Sequence, residues 1–92
     1  GAKEAEKLGM IYRYVLSEEF EETVNKLAVK LANMPTNALG KIKELFNKSM
    51  NNSLEEQLAM ESKYQIEAAE SNDYKEGVAA FIEKRKPNFK GR

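Results

Sequence analysis

Four amphipathic segments separated by short polar breaks constrain the fold of this chain more than any other feature. In the first segment, Phe20, Val24, Leu27 and Leu31 recur at spacings of four, three and four residues, which is the apolar stripe of a helix. A residue type that favours helix starts opens each segment: Ser17, Thr36, Ser53 and Asp73. Because short connections place neighbouring helices side by side, we predict a mainly α fold with a small bundle of about four helices.

The last two helices carry a stronger start signal, in which a capping residue is followed three positions later by glutamate. Ser53 and Glu56 form one such pair, and Asp73 and Glu76 form the other. In a capping box, each side chain binds the backbone N–H of the other residue. We therefore predict that helices begin at Ser53 and at Asp73.

The first sixteen residues have a different character. Residues 2–8 are rich in Ala, Glu, Lys and Leu, which favour a short helix, and Gly9 is suited to end it. Residues 10–16 read Met-Ile-Tyr-Arg-Tyr-Val-Leu, and this β-branched and aromatic content predicts a short extended strand. A single strand has no partner here, so it requires a sheet from elsewhere or becomes an extended loop.

The balance of residue types argues against several kinds of function. The chain has 15 basic and 15 acidic residues, whereas a dedicated nucleic-acid-binding domain is usually strongly basic. It has no cysteine and no histidine, so it lacks the commonest metal ligand and the usual general base. No apolar run approaches the ~20 residues that span a bilayer, and no signal-peptide pattern occurs. We expect a cytoplasmic protein with no metal, no nucleic-acid partner and no membrane partner.

Two kinds of side chain could carry chemistry, and each also has a purely structural explanation. Pairs of carboxylates occur at helix starts, where acids stabilise the helix dipole, so we predict no catalytic residue in this chain. Phe81 and Lys84 lie three positions apart and share a helix face. An aromatic ring can stack on adenine, and an ammonium can pair with phosphate. The alternative is that Phe81 lies in the core and Lys84 stabilises the helix C-terminus.

The pattern from residue 76 to residue 89 resembles the end of one enzyme family. It reads Glu-Gly-x-x-Ala-Phe-x-x-Lys-Arg-x-Pro-x-Phe and looks like the C-terminus of the enoyl-CoA hydratase/isomerase (crotonase) family. Further segments resemble that family in the same order, so the likeness covers nearly the whole chain: residues 4–15, 31–35, 38–43 and 53–61. Within the superfamily, the Gly-Met-Ile segment and the Pro-Asn-Phe-Lys-Gly-Arg end are most similar to epoxyphenylacetyl-CoA isomerases.

The resemblance implies a longer parent enzyme, a hydratase or isomerase that acts on acyl-CoA thioesters without a separate cofactor. It implies that residues 1–16 are a linker helix and strand from a core outside this chain. Residues 17–92 would form a C-terminal helical domain. Such a domain would help to close the acyl-CoA pocket and to build a homo-oligomer, a trimer or a hexamer.

The resemblance also implies ligand contacts, residue by residue. Phe81 and Lys84 match positions that help to hold the adenosine end of coenzyme A, often across a subunit boundary. Gln65 and Ile66 match a stretch that can line the acyl pocket. The catalytic acids and the oxyanion hole would lie in the core, so these 92 residues alone would be inactive. The alternative is a stand-alone helical module that binds copies of itself or another protein through its apolar stripes.

Overall fold

Helices dominate the computed structural model, which describes all residues from Gly1 to Arg92. A short 3-10 turn at Ser17–Glu19 precedes the second of five α-helices. The helices are α1 (Ala2–Lys7), α2 (Phe20–Ala32), α3 (Thr36–Ser49), α4 (Leu54–Ala69) and α5 (Asn72–Glu83). The predicted mainly α fold, with four longer helices after a short first one, is confirmed.

Residues 10–16 form bends and irregular backbone instead of the predicted strand, which agrees with the alternative of a loop. A strand needs a hydrogen-bonded neighbour, and the chain contains no other strand to provide one. Gly9 does end the first helix. It has a positive φ of 72°, and its N–H donates to the Glu6 carbonyl at 2.9 Å while the Met10 N–H donates to the Ala5 carbonyl at 2.9 Å. This pair of bonds is the Schellman arrangement that glycine favours.

Side-chain caps set the starts of α4 and α5. The Ser53 hydroxyl accepts from the Glu56 N–H at 3.1 Å, and the Ser53 N–H donates to the Glu56 carboxylate at 2.8 Å. The predicted capping box at Ser53 is therefore confirmed. The predicted start at Asp73 is wrong, since α5 is capped by Ser71, whose hydroxyl accepts from the Tyr74 N–H at 3.1 Å.

The two other predicted caps also differ from the structure. Ser17 begins the 3-10 turn and makes no capping hydrogen bond, and α2 begins three residues later at Phe20. Thr36 is the first residue of α3, whose N-cap is Pro35. Proline fixes φ near −65°, which suits the entry to a helix without any side-chain hydrogen bond.

The chain forms two compact units, Gly1–Lys30 and Leu31–Arg92. Within the second unit, α3 packs on α4 and α4 packs on α5. These units reflect contacts inside this chain, whereas the division into residues 1–16 and 17–92 concerns a longer fold and stays a prediction. None of the helices is long and apolar enough to span a membrane.

Almost no apolar side chain is fully buried in this chain. Ala80 and Asp73 are the only buried residues of the chain, and Ala80 is the only apolar one. The predicted stripe residues Phe20, Val24 and Leu31 are exposed. An isolated domain of this size normally buries about 60% of its unfolded surface. The helices therefore present apolar faces that this chain does not cover by itself.

Candidate functional site

The last six residues, which we call the C-terminal strap (Pro87–Arg92), fold back along α5. Asp73 anchors the end of this strap. Its carboxylate accepts from the Lys90 N–H at 2.6 Å and from the Gly91 N–H at 2.7 Å. The Asp73 N–H in turn donates to the Arg92 carbonyl at 2.9 Å. Asp73 is only 4% exposed, so its charge is satisfied by strap backbone instead of water, and this explains why it does not cap the helix.

Glu76 holds the other end of the strap. The Arg85 guanidinium donates to both Glu76 carboxylate oxygens, at 2.6 and 2.9 Å. The Asn88 N–H donates to the same carboxylate at 2.7 Å. Arg85 also donates to Glu83 through Nε at 2.6 Å. We call this group of side chains the Glu76–Arg85 clamp. A two-pronged Arg–carboxylate bond fixes geometry as well as charge.

The clamp shifts the acidity of Glu76. Hydrogen bonds from Arg85 and then from the Asn88 N–H lower the pKa of Glu76 from 4.5 to about 2. A carboxyl group with a lowered folded-state pKa binds its proton more readily when unfolded. Its contribution to stability is therefore present above pH 4.5 and is lost as the pH falls towards 2.

This shift predicts a pH-dependent difference between the wild type and Glu76→Gln. The free energy of unfolding of the wild type should exceed that of the variant at pH 6, and the gap should close progressively below pH ~4.5. Urea unfolding at several pH values measures the free energy of unfolding of the wild type and of the variant. A gap that stays constant from pH 6 to pH 2 would show that the Glu76 charge does not stabilise the fold.

A left-handed residue lies between the helix and the clamp. Lys84 follows α5 with φ 54° and ψ 38°. Its N–H donates to the Phe81 carbonyl at 3.3 Å, and the Arg85 N–H donates to the Ala80 carbonyl at 3.0 Å. These bonds again form a Schellman arrangement, in which the left-handed position is usually glycine. Lys84 thus lies beyond α5, one residue after the helix in which it was predicted to be.

An apolar groove of about 390 Å³ lies beside α5. The Phe89 ring of the strap approaches Gly77 closely, since a Cβ at Gly77 would lie 3.5 Å from it. Phe81 lines the same groove and is 85% exposed. The other lining residues come from α3, α4, α5 and the loops that precede α3 and α5, and include Pro35, Ala38, Ala68, Ser71 and Val78. The groove thus combines the exposed ring of Phe81 with a mostly apolar lining.

The predicted ligand residues fall in different places. Phe81 lines the apolar groove, whereas Lys84 is not among the residues that line it. The explanation of Phe81 as a core residue is wrong, because its side chain is exposed. Gln65 lines a second groove of about 300 Å³ between α3 and α4. Ile66 lies outside that lining and is 59% exposed. Gln65 and Ile66 therefore do not both line this groove.

The second groove has a polar edge built around Lys41. The Lys41 ammonium lies 4.7 Å from the centre of the Tyr64 ring and pairs with Glu67. A hydrogen bond from Lys41 lowers the pKa of Glu67. Lys41 is thereby neutralised from within the chain. The polar edge is thus explained by an ion pair that connects α3 to α4.

The roles of Asp73 and Arg85 did not follow from the sequence. The spacing of Asp73 and Glu76 looks like a capping box, yet both carboxylates bind strap backbone. Two small signals were available, namely Ser71 as a second capping candidate and Pro87, which ends the helical pattern and leaves a short tail. Neither identifies a contact between residues seventeen or eighteen positions apart.

Comparisons with known proteins agree on one family. The family model for enoyl-CoA hydratase/isomerase matches residues 1–92. The chain is 44% identical over 91 residues to a 1,2-epoxyphenylacetyl-CoA isomerase of Escherichia coli, covering 99% of this chain and 35% of that protein. It is 41% identical over 92 residues to a probable enoyl-CoA hydratase of Rhodobacter capsulatus, covering 100% of this chain and 36% of that protein.

Solved structures give the same result. A crystal structure of an enoyl-CoA hydratase from Geobacillus kaustophilus matches with a TM-score of 0.89 and 44% identity, covering 100% of this chain and 36% of the other. A Polaromonas enoyl-CoA hydratase matches with a TM-score of 0.89 and 30% identity, covering 98% and 35%. The chain thus spans about a third of the length of the proteins that it matches. It belongs to the enoyl-CoA hydratase/isomerase family, the crotonase superfamily.

Proposed function

We propose that this chain is the C-terminal helical region of a longer acyl-CoA hydratase or isomerase, in which it helps to close the acyl-CoA pocket and to form a homo-oligomer. The observation that carries this proposal is the exposed apolar surface of helices whose only buried apolar residue is Ala80. Surface of that kind is stable in water when another protein surface covers it. The covering surface would be the rest of the enzyme and a second subunit of a trimer or hexamer.

The proposed ligand is a coenzyme A thioester, which enters as the substrate, and we propose no separate cofactor. Phe81 offers an exposed ring on which adenine can stack. Lys84 forms no ion pair within the chain, so its ammonium is available to a phosphate. Gln65 and Ile66 are proposed to line the acyl pocket. Of the two, Gln65 lines the groove between α3 and α4. The reacting groups would come from the rest of the enzyme. A cytoplasmic location for the protein stays a prediction.

Kinetics of the full-length enzyme with two thioesters test the ligand assignment. Lys84→Ala should raise KM for the coenzyme A thioester about tenfold, because a charge-assisted hydrogen bond to phosphate is lost. KM for the matching pantetheine thioester, which lacks the nucleotide, should not change. Lys86→Ala removes the same charge two residues away and is the matched control. Equal effects of Lys84→Ala on both thioesters would contradict the assignment.

The exposed apolar surface also favours a second candidate, a stand-alone helical module that associates with itself or with another protein. The size of the native product separates the two candidates. An immunoblot of source cells with an antibody to this region should give a band well above 10.5 kDa for the enzyme. Light scattering on that product should then give the mass of a trimer or hexamer. A band at 10.5 kDa would favour the module.

A further inference from the structure

Lys84 is the only residue other than glycine with a positive φ in this chain. A side chain in the left-handed region is unfavourable for an L-residue, and glycine would adopt the same turn without that cost. Residues in such conformations persist where the surrounding structure fixes them, and they cluster at ligand-binding sites. The lysine side chain at this position is therefore a feature that the turn itself does not need.

The contacts that fix this turn come from the two flanking sides. On the helix side, the backbone bonds to Phe81 and Ala80 close the turn. On the strap side, the next residue is Arg85, whose guanidinium is held by both oxygens of Glu76 and by Glu83. Glu76 is part of α5 itself, so the clamp ties the residue after Lys84 back to the helix. Side-chain entropy is lost in the clamp, while Lys84 keeps a free ammonium.

We propose that Glu76 and Arg85 are positioning residues that fix the left-handed turn at Lys84 and so direct its ammonium to an anionic group of the coenzyme A thioester. This inference rests on the proposed function, since it assigns to Lys84 the same ligand. Neither Glu76 nor Arg85 needs to touch the ligand. The clamp acts by restricting the backbone on which Lys84 is carried.

A simple charge effect makes a different prediction, and the two partners separate the explanations. If only the electrostatic potential mattered, Glu76→Gln would remove a negative charge and strengthen binding of an anion, whereas Arg85→Gln would weaken it. If the clamp positions Lys84, both substitutions weaken binding. Arg85→Lys keeps the charge but loses the two-pronged geometry, so it should weaken binding as Arg85→Gln does.

The test is calorimetric binding of coenzyme A to the full-length enzyme, together with KM for a coenzyme A thioester and for the matching pantetheine thioester. We expect Glu76→Gln, Arg85→Gln and Arg85→Lys each to weaken coenzyme A binding about fivefold. KM for the coenzyme A thioester should rise by a similar factor. The kcat values for both thioesters and KM for the pantetheine thioester should stay unchanged. Lys86→Gln, which removes a neighbouring charge outside the clamp, should leave all values within about twofold.

The outcomes distinguish this inference from the proposed function. If Lys84→Ala weakens coenzyme A binding but the clamp variants do not, the positioning role is wrong and the ligand assignment stands. If Lys84→Ala itself has no effect, the ligand assignment is wrong and the inference fails with it. Opposite effects of Glu76→Gln and Arg85→Gln on coenzyme A binding would show that the clamp acts through its charges and would overturn the positioning role. Equal losses for both thioesters would assign the clamp a general structural role and overturn the inference.

Discussion

Replacing Asp73 by alanine is expected to release the C-terminal strap and to lower the free energy of unfolding by about 3 kcal/mol. The carboxylate accepts two short backbone hydrogen bonds, from the Lys90 and Gly91 N–H groups. Bonds to a charged acceptor contribute about 1.5–3 kcal/mol each, and their loss leaves donors without a partner. Urea unfolding of the proposed full-length enzyme measures the change.

Amide hydrogen exchange gives a local reading of the same release. Exchange at Lys90 and Gly91 should accelerate in Asp73→Ala, whereas exchange in the middle of α4 should change less. Asp73→Asn keeps one carbonyl acceptor and should be less damaging. Glu18→Ala, an exposed acid in the 3-10 turn, is the control and should stay within about 0.5 kcal/mol of the wild type. An Asp73→Ala chain as stable as that control would contradict the anchoring role.

Gly91→Ala is expected to lower the free energy of unfolding by about 2 kcal/mol, for two reasons that add. Gly91 has a φ of 75°, which alanine adopts only with strain. A Cβ at this position would also lie 2.5 Å from the Thr36 Oγ1 atom, well inside contact distance. Urea unfolding again measures the loss.

Two further variants separate those reasons. Thr36→Ala removes the clashing oxygen, so the double variant should recover the steric part of the loss but not the part due to φ. Gly40→Ala is the matched control, because Gly40 lies inside α3 with no atom near its would-be Cβ. That substitution should stabilise the chain by about 0.5–1 kcal/mol. The same change at two glycines should thus have opposite signs, and a loss at both would contradict the argument.

Local signals predicted the helices well. The spacing of Phe20, Val24 and Leu27 identifies a helix, and Ser53 with Glu56 identifies the start of α4. Both signals depend on residues within four positions of each other, so neighbouring sequence contains the whole interaction. The predicted strand failed because its stability depends on a partner that this chain does not contain.

The candidate site shows the same division. Phe81 and Lys84 could be selected from their spacing and from the family resemblance, but their surroundings could not. The left-handed backbone of Lys84 follows from how α5 ends, and its ammonium forms no ion pair within the chain. The clamp joins Glu76 to Arg85 across nine positions. The position of Glu76 near a helix start is explained by capping alone, so nothing in the sequence was a reason to expect its bonds to Arg85 and Asn88.

The sequence by itself indicated the helices and the family and predicted the residues proposed to meet a coenzyme A thioester, because periodicity and capping depend on residues close together in the chain and the family motifs occur in order along it. The tertiary structure alone decided what Asp73 and Glu76 bind, where Phe89 packs and why a side chain at position 91 would meet Thr36. Those features depend on the strap returning to α5 and α3. Contacts between residues far apart in sequence form only after the chain has folded back, so no local pattern specifies them.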